Sequence, residues 1–383
     1  MKLRAAASLG LLSALSGLLA GFSWMPLGHS VRPLAKGYGL LRPWYVADAQ
    51  PLIDVRTLEY NATETASPVL DIAQTRLYVT LRDGRLICRF RGVTSWTWTS
   101  PGSLLAAPLL EESTETLYVS SASGVLTALN RITGAVRWAT PLKEELTTTP
   151  FLSDGKLFVM SSDESITAVE SATGKTLWKF HRDRPGGFTL RGNARPVVAH
   201  GFVYAGFADG TVAALRVADG VAKWTRNPSG PGDYLDIDEI AAPETDSRIY
   251  VASAKTGVSA LEVSSGEITW TRELPGANHV VVDGPRVYAT GRGAVVGLAR
   301  RDGAQLWKAL LQKERFATEP VAIGGLLLLA EERGSLIALD PVSGIARAVL
   351  DPGSGFSQAI AAVDGAAFIL SNNGTLFSIG LLP

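Results

Sequence analysis

The stretch ALNRITGAVRW, Ala128 to Trp138, decides the fold, because its spacing of small residue, turn glycine and tryptophan returns along the chain. Copies start at Ala168, Ala214, Ala260 and Gly297, with turn glycines Gly174, Gly220, Gly266 and Gly303 and tryptophans Trp178, Trp224, Trp270 and Trp307. A further copy, Ala338 to Ala348 around Gly344, has lost its tryptophan. Successive turn glycines lie 37 to 46 residues apart, and a period of this size made only of strand patterns and turns marks propeller blades.

Each copy divides into four segments of strand length. Residues 104–138 give LLAAPLL, then LYVSS (117–121), VLTALN (125–130) and AVRWAT (135–140). The mixture of β-branched and aromatic residues suits a sheet packed on both faces. Pro68, Pro108, Pro150, Pro196, Pro243 and Pro320 fall in the first segment, and a residue without an N–H belongs on an edge, here the one around a central channel. Trp98, Trp138, Trp178, Trp224, Trp270 and Trp307 are read as blade-docking residues that lie flat between neighbouring sheets, each burying about 200 Å².

Turns between second and third strands carry Gly84, Gly124, Glu164, Gly210, Gly257, Gly293, Gly334 and Gly374, which predicts eight blades. The last blade lacks an outer strand, and LIDVRTLEY (52–60) is expected to supply it and close the ring. The expected fold is therefore all-β: an eight-bladed propeller of four-stranded antiparallel blades over residues 51–383, closed by an N-terminal strand.

Residues 1–22, with Lys2 and Arg4 ahead of an apolar run to Phe22, read as a secretory signal or a retained inner-membrane anchor, and 23–50 as a tether. Export to the periplasm follows from either. The 36 basic and 36 acidic residues cancel and form no basic run, which argues against a nucleic-acid partner. Cys88 stands alone in a strand pattern and reads as a buried small hydrophobe. His29, His181, His200 and His279 are scattered, with no metal-ligand spacing, nucleophile elbow or phosphate loop, so no catalytic residue, metal or cofactor is assigned.

Function is expected on the rim. Trp178 to Pro196 spans 18 residues and Trp224 to Pro243 spans 19, against 10 to 13 in other blades. Both connections leave the same face of consecutive blades and so are neighbours. One presents Phe188, Leu190 and Arg191, the other Tyr234, Leu235, Asp236 and Asp238. Two readings stay open: Arg191 pairs with Asp236 or Asp238 and pins the loops, or apolar anchors beside charges form a protein-binding patch.

The repeats resemble the pyrroloquinoline-quinone-type propeller repeat, and their loop order is similar to that of the BamB family of outer-membrane protein assembly factors over about residues 52–383. Phe188-Thr-Leu190-Arg191-Gly192 is similar to that family's Leu-Ser-Leu-Arg-Gly loop, and Leu235-Asp236-Ile-Asp238 to its Leu-Ser-Asp-Val-Asp loop. The resemblance implies a monomeric, non-catalytic scaffold. In it Phe188, Leu190, Arg191, Asp236 and Asp238 contact a POTRA domain of a BamA-like protein and the chain assists insertion of unfolded outer-membrane proteins. It implies association with the outer membrane through that partner, although Phe22 stands where the family's acylated cysteine would be. The alternatives are a quinoprotein dehydrogenase using pyrroloquinoline quinone and calcium, which typically needs a vicinal cysteine pair, and a periplasmic sensor or adhesion propeller.

Overall fold

The computed structural model describes residues 44–51, 68–71, 76–91, 93–183, 194–230, 235–312, 315–356, 359–363 and 366–381. They form eight four-stranded antiparallel sheets, each built of strands consecutive in sequence except the last. The sheets succeed one another around an axis as an eight-bladed β-propeller. In the second blade the strands are Leu109–Glu111, Thr116–Ser120, Val125–Asn130 and Val136–Pro141. Thr116–Ser120 is buried throughout, whereas Val136–Pro141 alternates between exposed and half-buried, as expected where only the middle strands are covered on both faces.

The repeated element is a clasp between blades. Its small residue pairs directly with its tryptophan across the ladder: Ala128 with Trp138, Ala168 with Trp178, Ala214 with Trp224, Ala260 with Trp270 and Gly297 with Trp307. A one-residue bulge follows in each and re-aims the outer strand. The indole then lies under the turn glycine of the next blade. Gly220 adopts φ 73° over the Trp178 ring, and a Cβ there would sit 2.6 Å from a ring carbon, so both the backbone conformation and the approach demand glycine. Each indole N–H donates to a carbonyl in that next turn, as Trp138 does to Ser171 at 3.0 Å and Trp224 to Val263 at 2.9 Å. At roughly 25 cal/mol per Å², burying such a ring contributes about 5 kcal/mol gross per joint.

In the first blade the clasp residue is Trp96, not Trp98. Cys88, fully buried, takes the small-residue place opposite Trp96; the Trp96 ring meets Gly134, and its N–H donates to Arg131 at 3.3 Å. The reason is a shorter turn: Arg89 pairs with Thr94, five residues on, whereas its equivalent Leu129 pairs with Val136, seven on. Because the shift is two residues, Trp98 keeps the same face of the strand and packs on the same cluster as Trp96.

The ring closes through a different segment from the one the sequence indicated. The fourth strand of the last blade is Trp44–Pro51, paired antiparallel with Thr375–Leu381 from Trp44 opposite Leu381 to Pro51 opposite Thr375. That edge is therefore filled by residues 44–51, so residues 44–50, read above as tether, are part of the sheet; residues 52–60 lie outside the described residues. The prolines also sit slightly differently. Pro68, Pro108, Pro150, Pro196 and Pro320 each stand just ahead of a first strand, and Pro243 follows one, Ile237–Ala241.

Candidate functional site

Two adjoining regions concentrate unusual chemistry: the bases of the two long loops, and the channel they overlook. Phe188, Leu190, Arg191 and Tyr234 lie outside the described residues. The segments that carry them converge. Ala194, at the end of the first loop, and Ile237, at the end of the second, both pack on Gly206, where a Cβ would come within 2.4 Å of Ile237 and 3.0 Å of Ala194. Arg182, at the start of the first loop, reaches the next blade and pairs with Asp209, whose carbonyl accepts from the Asn227 amide of the second loop at 3.1 Å. The loops thus rise from one shared footing between the fourth and fifth blades.

Asp236 is 1% exposed, and neither carboxylate oxygen accepts a hydrogen bond from another described residue. Burial, offset only in part by the residue's own backbone N–H, pushes its pKa up to about 6. Asp238, half-buried two residues on, rises to about 7, first through burial and then through the charge of Asp236. A carboxylate with a raised folded pKa binds its proton more tightly folded than unfolded. The native state therefore loses stability as pH rises from about 4, the unfolded value, through about 6. Asp236→Asn removes the ionisation and is expected to stabilise the protein at pH 8 by about 2 kcal/mol and by nothing measurable at pH 4. Urea unfolding at both values checks this; an equal gain at both would mean that shape rather than charge is at work.

The central channel encloses about 1060 Å³, lined by first strands and the residues just before them. Its charged side chains include Arg195, Asp238, Glu239, His279 and Glu319. Sequence spacing reads His279 as scattered and Asp238 as a rim contact, and does not single out Arg195, Glu239 or Glu319. Charged residues on a first strand, which faces the axis, were the available signal. Glu239 accepts from His279 Nδ1 at 2.7 Å and from the Val280 N–H at 3.3 Å. Burial opposes the imidazolium, yet the charge and hydrogen bond of Glu239 outweigh it and hold His279 above its ordinary value. Burial, reinforced by Glu239, pushes Glu319 up to about 7.

This lining does not fit pyrroloquinoline quinone, a planar tricarboxylate held with calcium. Four carboxylates, those of Glu112, Asp238, Glu239 and Glu319, line the cavity with the two cationic side chains Arg195 and His279, and no group of three His, Cys, Asp or Glu among the described residues is arranged to hold a metal ion. Cys88 is buried in a blade and is the chain's single cysteine.

A family model described as outer membrane protein assembly factor BamB matches residues 92–290 and 229–372. A comparison with curated proteins finds no match. Among solved structures, the fold is similar to BamB from Moraxella catarrhalis, with a TM-score of 0.77 and 20% identity over 88% of this chain and 100% of that one. It is also similar to the quinohemoprotein alcohol dehydrogenase from Comamonas testosteroni, with a TM-score of 0.71 and 12% identity over 88% of this chain and 76% of that one. The computationally designed Ika8 protein matches with a TM-score of 0.70 and 13% identity over 84% of this chain and 97% of that one. Identities this low establish the shared propeller fold and nothing finer.

Proposed function

Because the chain belongs to the family of the outer membrane protein assembly factor BamB, we propose that it is a non-catalytic scaffold of outer-membrane β-barrel assembly. It docks on a POTRA domain of a BamA-like partner through its two long loops and helps that partner insert unfolded outer-membrane proteins. The observation that carries this reading is that the family match runs across both loops, which hold the two family-like motifs.

In this scheme Phe188 and Leu190 are the apolar anchors and Arg191 supplies the charge that fixes register, a division of labour common at protein interfaces. Asp236 and Asp238 act from the second loop: an unneutralised carboxylate at the footing favours any cation that approaches it, whether from the first loop or from the partner. The ring supports this by presenting both loops from one rigid base. The chain works in the periplasm, held at the outer membrane by its partner.

A photoreactive residue in place of Leu190, activated in the native envelope, tests this. Mass spectrometry is expected to find a POTRA-bearing barrel-assembly protein, absent when the probe replaces Leu306 on the outer strand of the sixth blade. Repeated capture of unrelated envelope proteins instead would support the sensor or adhesion reading and reject this one.

A further inference from the structure

One outer edge of the ring is unlike the other seven. The outer strand of a blade turns the unpaired side of its ladder to solvent, and proteins guard such edges with charge, proline or short length. Blades two to seven follow that rule: their outer strands are five or six residues long and carry Arg137, Lys179, Lys223, Arg272, Lys308 and Arg347 in turn. In the eighth blade, Trp44–Pro51 has Asp48 and ends on a proline. The outer strand of the first blade, Val93–Thr99, is seven residues, VTSWTWT, with neither a charge nor a proline. All of them but Ser95 are β-branched or aromatic, the types that favour a sheet.

The two sides of this strand differ. Thr94, Trp96 and Trp98 alternate with Val93, Ser95, Thr97 and Thr99. Trp96 is the clasp to blade two, whereas Trp98 is a second indole, half-buried on the same cluster, that no other outer strand has. On the opposite side Val93 is 70% exposed, and Ser95, Thr97 and Thr99 are exposed with it. Among the described residues, no strand pairs with the outer edge of Val93–Thr99.

We propose that Val93–Thr99 is an edge to which an extended strand of another protein adds by backbone pairing, apolar at alternate positions and uncharged over about seven residues. Roughly half of the strand's N–H and C=O groups point away from its blade and supply the new ladder. The side chains set the partner's chemistry. Its apolar positions lie beside Trp96 and Trp98, and small hydroxyl residues between them pair with Ser95 and Thr97. A partner Lys or Glu would leave water opposite an edge that holds no counter-ion. Blade one stands across a ring of eight from blade five, away from the two long loops, so this surface goes beyond the docking reading and does not rest on it.

Hydrogen exchange of the full chain with the probe peptide acetyl-Thr-Val-Thr-Leu-Ser-Val-Thr-Leu-Thr-amide tests the proposal. Saturating peptide is expected to slow exchange within residues 93–99 at least about tenfold and to leave residues 136–141 of blade two unchanged. A peptide with proline in place of the central serine should bind at least about tenfold more weakly. So should the wild-type peptide to the double variant Ser95→Lys, Thr97→Lys. That variant is expected to melt like the wild type, because other blades already carry these charges: Arg137 and Lys223 stand one place before their clasp tryptophans, Lys179 and Lys308 one place after. No binding to the folded wild type, equal protection in blade two, equal affinity of the proline peptide, or equal affinity of the folded double variant would each overturn the proposal. A wild-type dimer in sedimentation that the double variant dissociates would do so too, by giving the edge to a second copy of this chain.

Discussion

A chain that starts at residue 52 is expected to lose its cooperative thermal transition near the wild-type temperature, whereas one that starts at residue 44 keeps it. The difference between the two is the strand Trp44–Pro51, which pairs along Thr375–Leu381 and joins the N-terminal side of the chain to the last blade by a ladder, beside the buried packing of Leu77 and Val79 in the first blade on Phe368 and Leu370 in the last. Without it the last blade has three strands, and Thr375–Leu381 becomes a bare edge of unpaired N–H and C=O groups. Each lost ladder bond removes about 1 kcal/mol, so the strand contributes on the order of 5 kcal/mol before any repacking. For a ring of this size that corresponds to a melting temperature lower by about 10 °C, with aggregation through the open edge. Adding a peptide of residues 44–51 should restore the transition in proportion to its concentration. Identical melting of the two truncated chains would show that the ring closes some other way.

The periodicity of the sequence was enough to count the blades, because a tryptophan clasp needs a small residue, a glycine and an indole at fixed separations, and those survive in the order of letters. What it misplaced were features that depend on local length or on pairing across the whole chain. Trp98 follows Cys88 by the usual count, but the turn at residues 90–93 is two residues short, so Trp96 sits at the joint. The closing strand is 44–51 rather than 52–60, since a single strand far from its partner carries no periodic neighbour to set its register.

The site was legible in part. Loop length located the two connections whose bases meet at Gly206. It did not reveal that Asp236, which reads as a loop carboxylate, is enclosed and accepts no hydrogen bond from another described residue, because burial depends on which side chains close over it. The channel cluster escaped for a related reason. Arg195, Asp238, Glu239, His279 and Glu319 come from four different blades or the segments just ahead of them, and only the closing of the ring brings them to one cavity. Their common mark was position: ionisable residues in or just before segments that face an axis.

The largest functional effect is expected at Arg191. Reversing its charge replaces the cation that fixes the partner's register in the proposed interface with an anion, so that one attraction becomes a repulsion. Truncating a charge at the centre of an interface typically costs about 2–5 kcal/mol, and reversal costs at least as much, which lowers affinity by at least about thirtyfold. The described clasps are built from a small residue, a turn glycine and a tryptophan, so the melting temperature should stay within about 2 °C of wild type, as for surface substitutions generally.

Co-purification of Arg191→Glu with a POTRA-bearing partner from native envelopes, at unchanged melting temperature, is the direct test of docking through the paired loops. The account predicts that the partner is lost from the variant and retained by the wild type. Recovery of the partner in equal yield from both would contradict it.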